Sequence, residues 1–240
     1  MKKNVIILTN GLSGSSVLAG LIARDGFWLG TETFKKPDYD TFENKRLVDL
    51  NLQLFDQVSY EGNYDMVFNA AEIDYFANPR QPIDPSEYRE FLNECNEHAP
   101  WIWKDPRLWL TIHYWKDLLD LDQIRFINLT RDPMQTWVSV TIRRQIQEFR
   151  YLKGYLHGIR DSIRKFFVDT GAEHYEMQFE ELLLRPEQTI AKLNSFLDSS
   201  LQLSDLQAVY RGELYRKPKG VADIVKAGMI YAKNYGERYR

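Results

Sequence analysis

Two segments of this sequence carry residue types suited to holding phosphate. The first is Asn10-Gly11-Leu12-Ser13-Gly14-Ser15-Ser16, directly after the apolar run Asn4 to Thr9. A short β-branched run of this kind forms a strand buried on both faces, and Ser16 to Arg24 then shows helical spacing through Val17, Leu18, Leu21 and Ile22. The turn between them therefore joins a strand to a helix. Gly11 and Gly14 can take positive φ and admit a ligand to the backbone, and a helix start offers unpaired N–H groups and a positive dipole end to an anion. The three serines add hydroxyl donors. By composition alone the same residues also fit a plain Gly/Ser turn. The loop does not end in Gly-Lys-Ser/Thr, so it is not a standard nucleoside-triphosphate loop.

The second segment is Arg131-Asp132-Pro133, after the strand-like run Gln123 to Thr130, with Ser139 two helical turns further on. Asp132 is placed to cap a helix and Pro133 to occupy its first turn. An arginine fork and a serine hydroxyl from the following helix make a compact anion clamp. An ordinary capped helix with a surface arginine is the alternative.

Two more segments complete an ordered set. Trp101-Ile102-Trp103-Lys104-Asp105-Pro106-Arg107 starts as a strand, breaks at a proline and leads into the aromatic stretch Leu108 to Leu119. Met177-Gln178-Phe179-Glu180-Glu181-Leu182-Leu183 runs into Arg185-Pro186-Glu187 and a helix through Leu197. In this order the four segments resemble the sulfotransferases that use 3′-phosphoadenosine 5′-phosphosulfate (PAPS), particularly bacterial and carbohydrate-type members. Those carry (Lys/Arg)-Ser-Gly-(Ser/Thr)-(Ser/Thr), Lys-Asp-Pro-Arg, Arg-(Asp/Asn)-Pro followed by Ser, and (Tyr/Phe)-Glu-(Asp/Glu)-Leu-Leu before Arg/Asp-Pro. The resemblance covers roughly residues 4 to 200, and four ordered motifs are more specific than any one.

The resemblance implies a P-loop-type three-layer α/β sandwich and a transferase with PAPS as cofactor, 3′,5′-ADP as product and no metal. It places Gly11, Leu12, Ser13, Gly14, Ser15 and Ser16 at the 5′-phosphosulfate, Arg131 and Ser139 at the 3′-phosphate, and Phe179 near the adenine. Leu12 departs from the pattern, standing where the family has a basic residue beside the bridging oxygen between phosphate and sulfate. Lys104 is the candidate replacement. Two alternatives stay open: a catalytically impaired protein that binds PAPS or 3′,5′-ADP, which Leu12 suggests, and a P-loop small-molecule kinase, which would share the sheet and loop but for which a loop lysine and a magnesium-binding acid are not evident.

Sulfuryl transfer to a hydroxyl or amine also needs a base. Glu72 is the leading candidate, with Asp74, His98 and His113 behind it. The acceptor is expected to be a small molecule, a lipid or a saccharide. Phe27, Trp28, Phe34, Tyr75, Phe76 and Trp109 could line its pocket, although aromatic residues more often fill cores.

The remaining sequence must position these groups. With 240 residues, 44% of them hydrophobic, the chain can bury a substantial core, and no linker or internal repeat divides it, so one domain over 1–240 is expected, with 201–240 the least defined part. A net charge of -3 with interspersed signs gives no electrostatic case for nucleic acid. The single Cys95 excludes an intrachain disulfide and a multi-cysteine zinc site, which favours a reducing compartment. Val5 to Leu8 is too short for a secretory signal and no apolar run has membrane-spanning length, so a cytoplasmic location is expected.

Strands and helices alternate, which predicts a parallel sheet with helices on both faces. Helices are predicted over Thr41 to Val58, from the Asp84-Pro85-Ser86-Glu87 capping box toward His98, and over Arg150 to Thr170 with Gly171 ending it. Gly26 to Pro37 and Asn69 to Pro85 read as loops framing the acceptor pocket.

Overall fold

The computed structural model describes residues 2–37, 39–210 and 220–239. Part of the expected tail, residues 211–219, lies outside the described residues. Four strands, β1 (Asn4–Leu8), β4 (Ile102–Lys104), β5 (Ile124–Thr130) and β6 (His174–Gln178), form a parallel sheet in the order β4-β1-β5-β6. The register pairs Ile7 of β1 with Lys104 on one side and Ile127 on the other. All four carboxyl ends therefore meet along one edge of the sheet, and β1 lies between strands that come later in the chain. That is the crevice where open α/β sheets bind ligands.

Side-chain alternation along the strands divides the core into two layers. Ile6, Leu8, Trp103 and Phe126 face one way and pack with α2 (Lys45–Gln57), α4 (Ser86–Glu97), α5 (Leu108–Trp115) and α7 (Phe149–Thr170). Val5, Ile7, Ile102, Ile127, Leu129 and Met177 face the other way and pack with α1 (Ser15–Ala23), α8 (Phe179–Leu184), α9 (Pro186–Leu197) and α10 (Leu203–Val209). Helices thus cover both faces, as a three-layer α/β sandwich requires. Burying large side chains such as Trp103, Phe126 and Leu193, each contributing about 1.5–3 kcal/mol, holds the layers together.

Several elements differ from the expectations. Thr41 to Asn44 is strand, not helix: β2 (Thr33–Lys36) and β3 (Tyr39–Asn44) form an antiparallel hairpin, and α2 begins only after Asn44, whose side chain accepts from the Leu47 N–H. The Gly26 to Pro37 segment supplies one strand of this hairpin instead of a plain loop. Gly20 within α1 lets the hairpin approach, because a Cβ there would lie 2.7 Å from the Phe42 ring. The Asn69 to Pro85 segment contains α3 (Ile73–Ala77). Asp84 does not form a reciprocal box with Glu87; it accepts from the backbone and hydroxyl of Ser86 at the start of α4. The helix α7 spans 149–170 and ends at Gly171 in the left-handed conformation, as read from the sequence.

Candidate active site

The strand ends and the hairpin enclose one cavity of about 710 Å³. Its floor is the loop from Asn10 to Gly14. Leu12 and Gly14 adopt left-handed φ of 63° and 84°, which curls the loop around its own backbone N–H groups. Gly14 is required for a second reason, since a Cβ there would sit 2.4 Å from the Phe179 ring. As N-cap of α1, Gly14 offers no side-chain cap, and the first turn of α1 holds no acid. The helix N-terminus is left open to an anion.

Gly11, Leu12, Gly14, Ser15, Ser16, Lys104, Arg131, Ser139 and Phe179 all line this cavity. Ser13 does not. It is 1% exposed, and its Oγ lies 2.6 Å from Thr9 Oγ1, which in turn donates to the Leu129 carbonyl. Its hydroxyl is held by Thr9, so the Ser13 side chain does not line the cavity and any part it has there falls to its backbone.

Strand parity sets the position of Lys104. It shares a face with Ile102 and points to the α1 side of the sheet, where its Nζ donates to Ser16 Oγ at 3.2 Å and to the Thr41 carbonyl at 3.4 Å. Lys104 is 4% exposed and pairs with the buried Glu43 at 2.5 Å. Asp105 faces the opposite layer, where Asn51 of α2 donates to it and the Trp115 indole donates to Asn51. The Arg107 backbone and guanidinium also donate to Asp105, at 2.9 Å each. The Lys-Asp-Pro-Arg segment is thus a turn locked by its own aspartate, presenting Lys104 and Arg107 to the cavity.

On the opposite side of the loop, Arg131 Nη1 donates to the Leu12 carbonyl at 2.9 Å. Its guanidinium lies 5.8 Å from the Phe179 ring centroid and 3.6 Å from Glu180. Burial draws the Arg131 pKa below the ordinary arginine value; Glu180 opposes that shift and the nearby Arg143 cation adds to it. The Glu180 contact is made by the buried Nε of Arg131. Asp132 caps α6 (Pro133–Ile142) by accepting from the Gln135 N–H, and Thr136, Ser139, Val140 and Arg143 recur at helical spacing along the cavity wall.

The expected bases lie elsewhere. Glu72 is outside the cavity and accepts from the Tyr60 hydroxyl at 2.9 Å. Asp74 is exposed, and His98 stacks on Trp28. His113 packs edge-on against Phe166, where burial pushes its pKa down to about 4. Among the described residues the acids that line the cavity are Glu43 and Asp65, and no histidine does. Of the expected pocket aromatics only Phe34 lines it; Phe27, Phe76 and Trp109 are core, and the segment 69–85 frames a separate small cavity. Arg143 was legible as the residue four beyond Ser139 on the same helix. Glu43 and Asp65 carry no local signal, because only the hairpin fold and the loop before α3 bring them to the strand ends.

A search of solved structures finds this architecture in others. The sulfotransferase domain from the curacin biosynthetic pathway matches with a TM-score of 0.54 at 16% identity, over 93% of this chain and 82% of that one. The sulfotransferase domain of the Synechococcus PCC 7002 olefin synthase gives 0.53 at 15% identity, over 97% and 96%. This is the sulfotransferase fold. A sulfotransferase from Alicyclobacillus acidocaldarius also matches, with a TM-score of 0.50 at 12% identity over 98% and 94%. No protein-family model matches the sequence, and no curated protein does. Among the described residues no helix is long and apolar enough to cross a membrane, and no group of three or more His, Cys, Asp or Glu is arranged to hold a metal.

Proposed function

We propose that the chain is a PAPS-dependent sulfotransferase acting on a hydroxyl or amine of a small-molecule, lipid or saccharide acceptor. One observation carries this reading: the Lys104 ammonium lies 3.2 Å from Ser16 at the open start of α1, in the same cavity as Arg131 and Ser139. A cation therefore stands beside the anion-binding loop although Leu12 occupies the family's basic position. The donor set fits a nucleotide with anionic groups at both ends. The loop backbone and Ser16 suit a 5′ phosphosulfate, and Arg131, Arg143 and Ser139 suit a 3′-phosphate.

PAPS, when bound, supplies an activated sulfuryl group. The chain's own contribution is alignment and neutralisation of charge on the leaving phosphate, by fixed N–H groups, Ser16 and Lys104, at no reorganisation cost during reaction. The Phe179 ring, packed on Gly14 and below Arg131, is placed to flank an adenine. The ion pair between Lys104 and Glu43 favours the second reading, a binder impaired in transfer, because it occupies the cation in the free protein.

A thermal-shift comparison tests the assignment. 3′,5′-ADP should raise the melting temperature and ATP with magnesium should not. The reverse result would favour a kinase.

A further inference from the structure

Beyond the cofactor residues, the cavity holds two carboxylates in different states among the described residues. Glu43 is buried and committed to Lys104. Asp65 sits on the cavity wall in no ion pair among the described residues, and its Oδ1 lies 3.9 Å from where a Cβ on Gly11 would be. The second carboxylate thus faces the start of the anion-binding loop. Solvent reaches it through the cavity mouth, and aromatic side chains Phe34, Tyr39 and Tyr64 line the same cavity.

We propose that Asp65 is the catalytic residue that takes the acceptor's proton, a role that rests on the sulfotransferase reading above. The acceptor O–H bond breaks with its proton passing to an Asp65 carboxylate oxygen. The oxygen's electron pair forms the new O–S bond, while the old S–O bond breaks and its pair leaves with the phosphate of 3′,5′-ADP.

The surroundings suit the task. Asp65 is solvent-exposed, but partial desolvation by the cavity wall draws its carboxyl pKa up; Arg107 opposes that shift, Asp105 adds to it, and Lys36 and Tyr64 oppose it. A raised pKa makes a carboxylate the better proton acceptor. Tyr64 and Tyr155 in the same cavity are not alternatives at neutral pH, since burial pushes Tyr64 up to about 12 and Tyr155 higher still. Glu43, which also faces Tyr64 and Arg107, is held by Lys104.

The test uses 2-naphthol, a phenol suited to an aromatic wall, with wild type, Asp65→Asn, Asp65→Glu and Glu43→Gln. Binding of 2-naphthol to the 3′,5′-ADP-loaded protein is followed by its fluorescence across pH, and release of 3′,5′-ADP from PAPS reports turnover. Wild-type affinity for 2-naphthol should fall as pH drops through the Asp65 titration. Asp65→Asn should remove that dependence, keep 3′,5′-ADP affinity within about threefold and lower turnover by roughly a hundredfold or more. Asp65→Glu should restore part of the rate. An unchanged acidic limb in Asp65→Asn, or its loss in Glu43→Gln instead, overturns the proposal while leaving the sulfotransferase reading intact. A wild type that binds 3′,5′-ADP yet never releases it from PAPS overturns both.

Discussion

Lys104 and Ser16 meet across β1: the ammonium at the end of β4 donates to the hydroxyl in the first turn of α1 at 3.2 Å. The contact follows from strand parity, because Lys104 shares its face with Ile102, and that face packs on α1. In the proposed reaction Lys104 replaces the loop cation that Leu12 cannot provide. Lys104→Ala should leave 3′,5′-ADP affinity within about tenfold and reduce transfer by roughly a hundredfold or more, measured by single-turnover kinetics. Since the substitution leaves Glu43 buried without its cation, the double variant Lys104→Ala/Glu43→Gln should show the same kinetic loss with recovered stability. Adding Leu12→Lys should restore part of the rate; no gain in the folded double variant would separate the Leu12 position from the transfer.

Arg131 secures the other end of the cavity. Arg131→Ala should lose about 2–4 kcal/mol of 3′,5′-ADP binding by calorimetry, and Arg131→Lys should recover only part of it because the fork is lost. Full recovery with lysine would mean that charge alone, not a two-pronged contact, holds the ligand.

Gly14 and Phe179 are mutually dependent. Gly14→Ala puts a methyl against the ring and an L-residue at φ 84°, so it should destabilise the fold by about 1–3 kcal/mol in denaturant titrations. Phe179→Leu in the same chain should relieve the steric part and leave the backbone part. An undiminished penalty in the double variant would assign the whole cost to the backbone.

His113 predicts an acid sensitivity remote from the cavity. Burial lowers its pKa from about 6.5 to about 4, so the unfolded chain binds the proton more tightly than the folded one. Its stabilising contribution is present above pH 6.5 and is lost as pH falls toward 4, amounting to roughly 3 kcal/mol across that window. His113→Leu should flatten stability against pH in that window. A slope equal to that of the wild type would trace the acid sensitivity to other groups.

Much of the fold was legible because its signals are local. Apolar β-branched runs ending in Gly-Ser, Asp-Pro or Arg-Asp-Pro marked β1, β4 and β5 together with the turns that follow them, and Gly171 marked the end of α7. The β2–β3 hairpin was hidden: Thr41 to Asn44 lead directly into α2, so their strand character depends on pairing and on packing of Phe42 against Gly20. The same reason concealed Glu43. The type and position of Ser13 fit the loop, and only its contact with Thr9, whose hydroxyl also reaches the Leu129 carbonyl of β5, shows that its side chain turns away from the cavity. Glu72 could be placed only once its bond to Tyr60 was known.

Titration calorimetry of the wild-type protein with 3′,5′-ADP and with its isomer ADP tests the central claim most directly, because the second phosphate sits on the 3′ oxygen in the first, where Arg131 and Ser139 are assigned to it, and extends the 5′ phosphate in the other. The account predicts that 3′,5′-ADP binds at least tenfold more tightly, and that Arg131→Ala abolishes the difference. Equal affinities for the two nucleotides, or no binding of either, would contradict it.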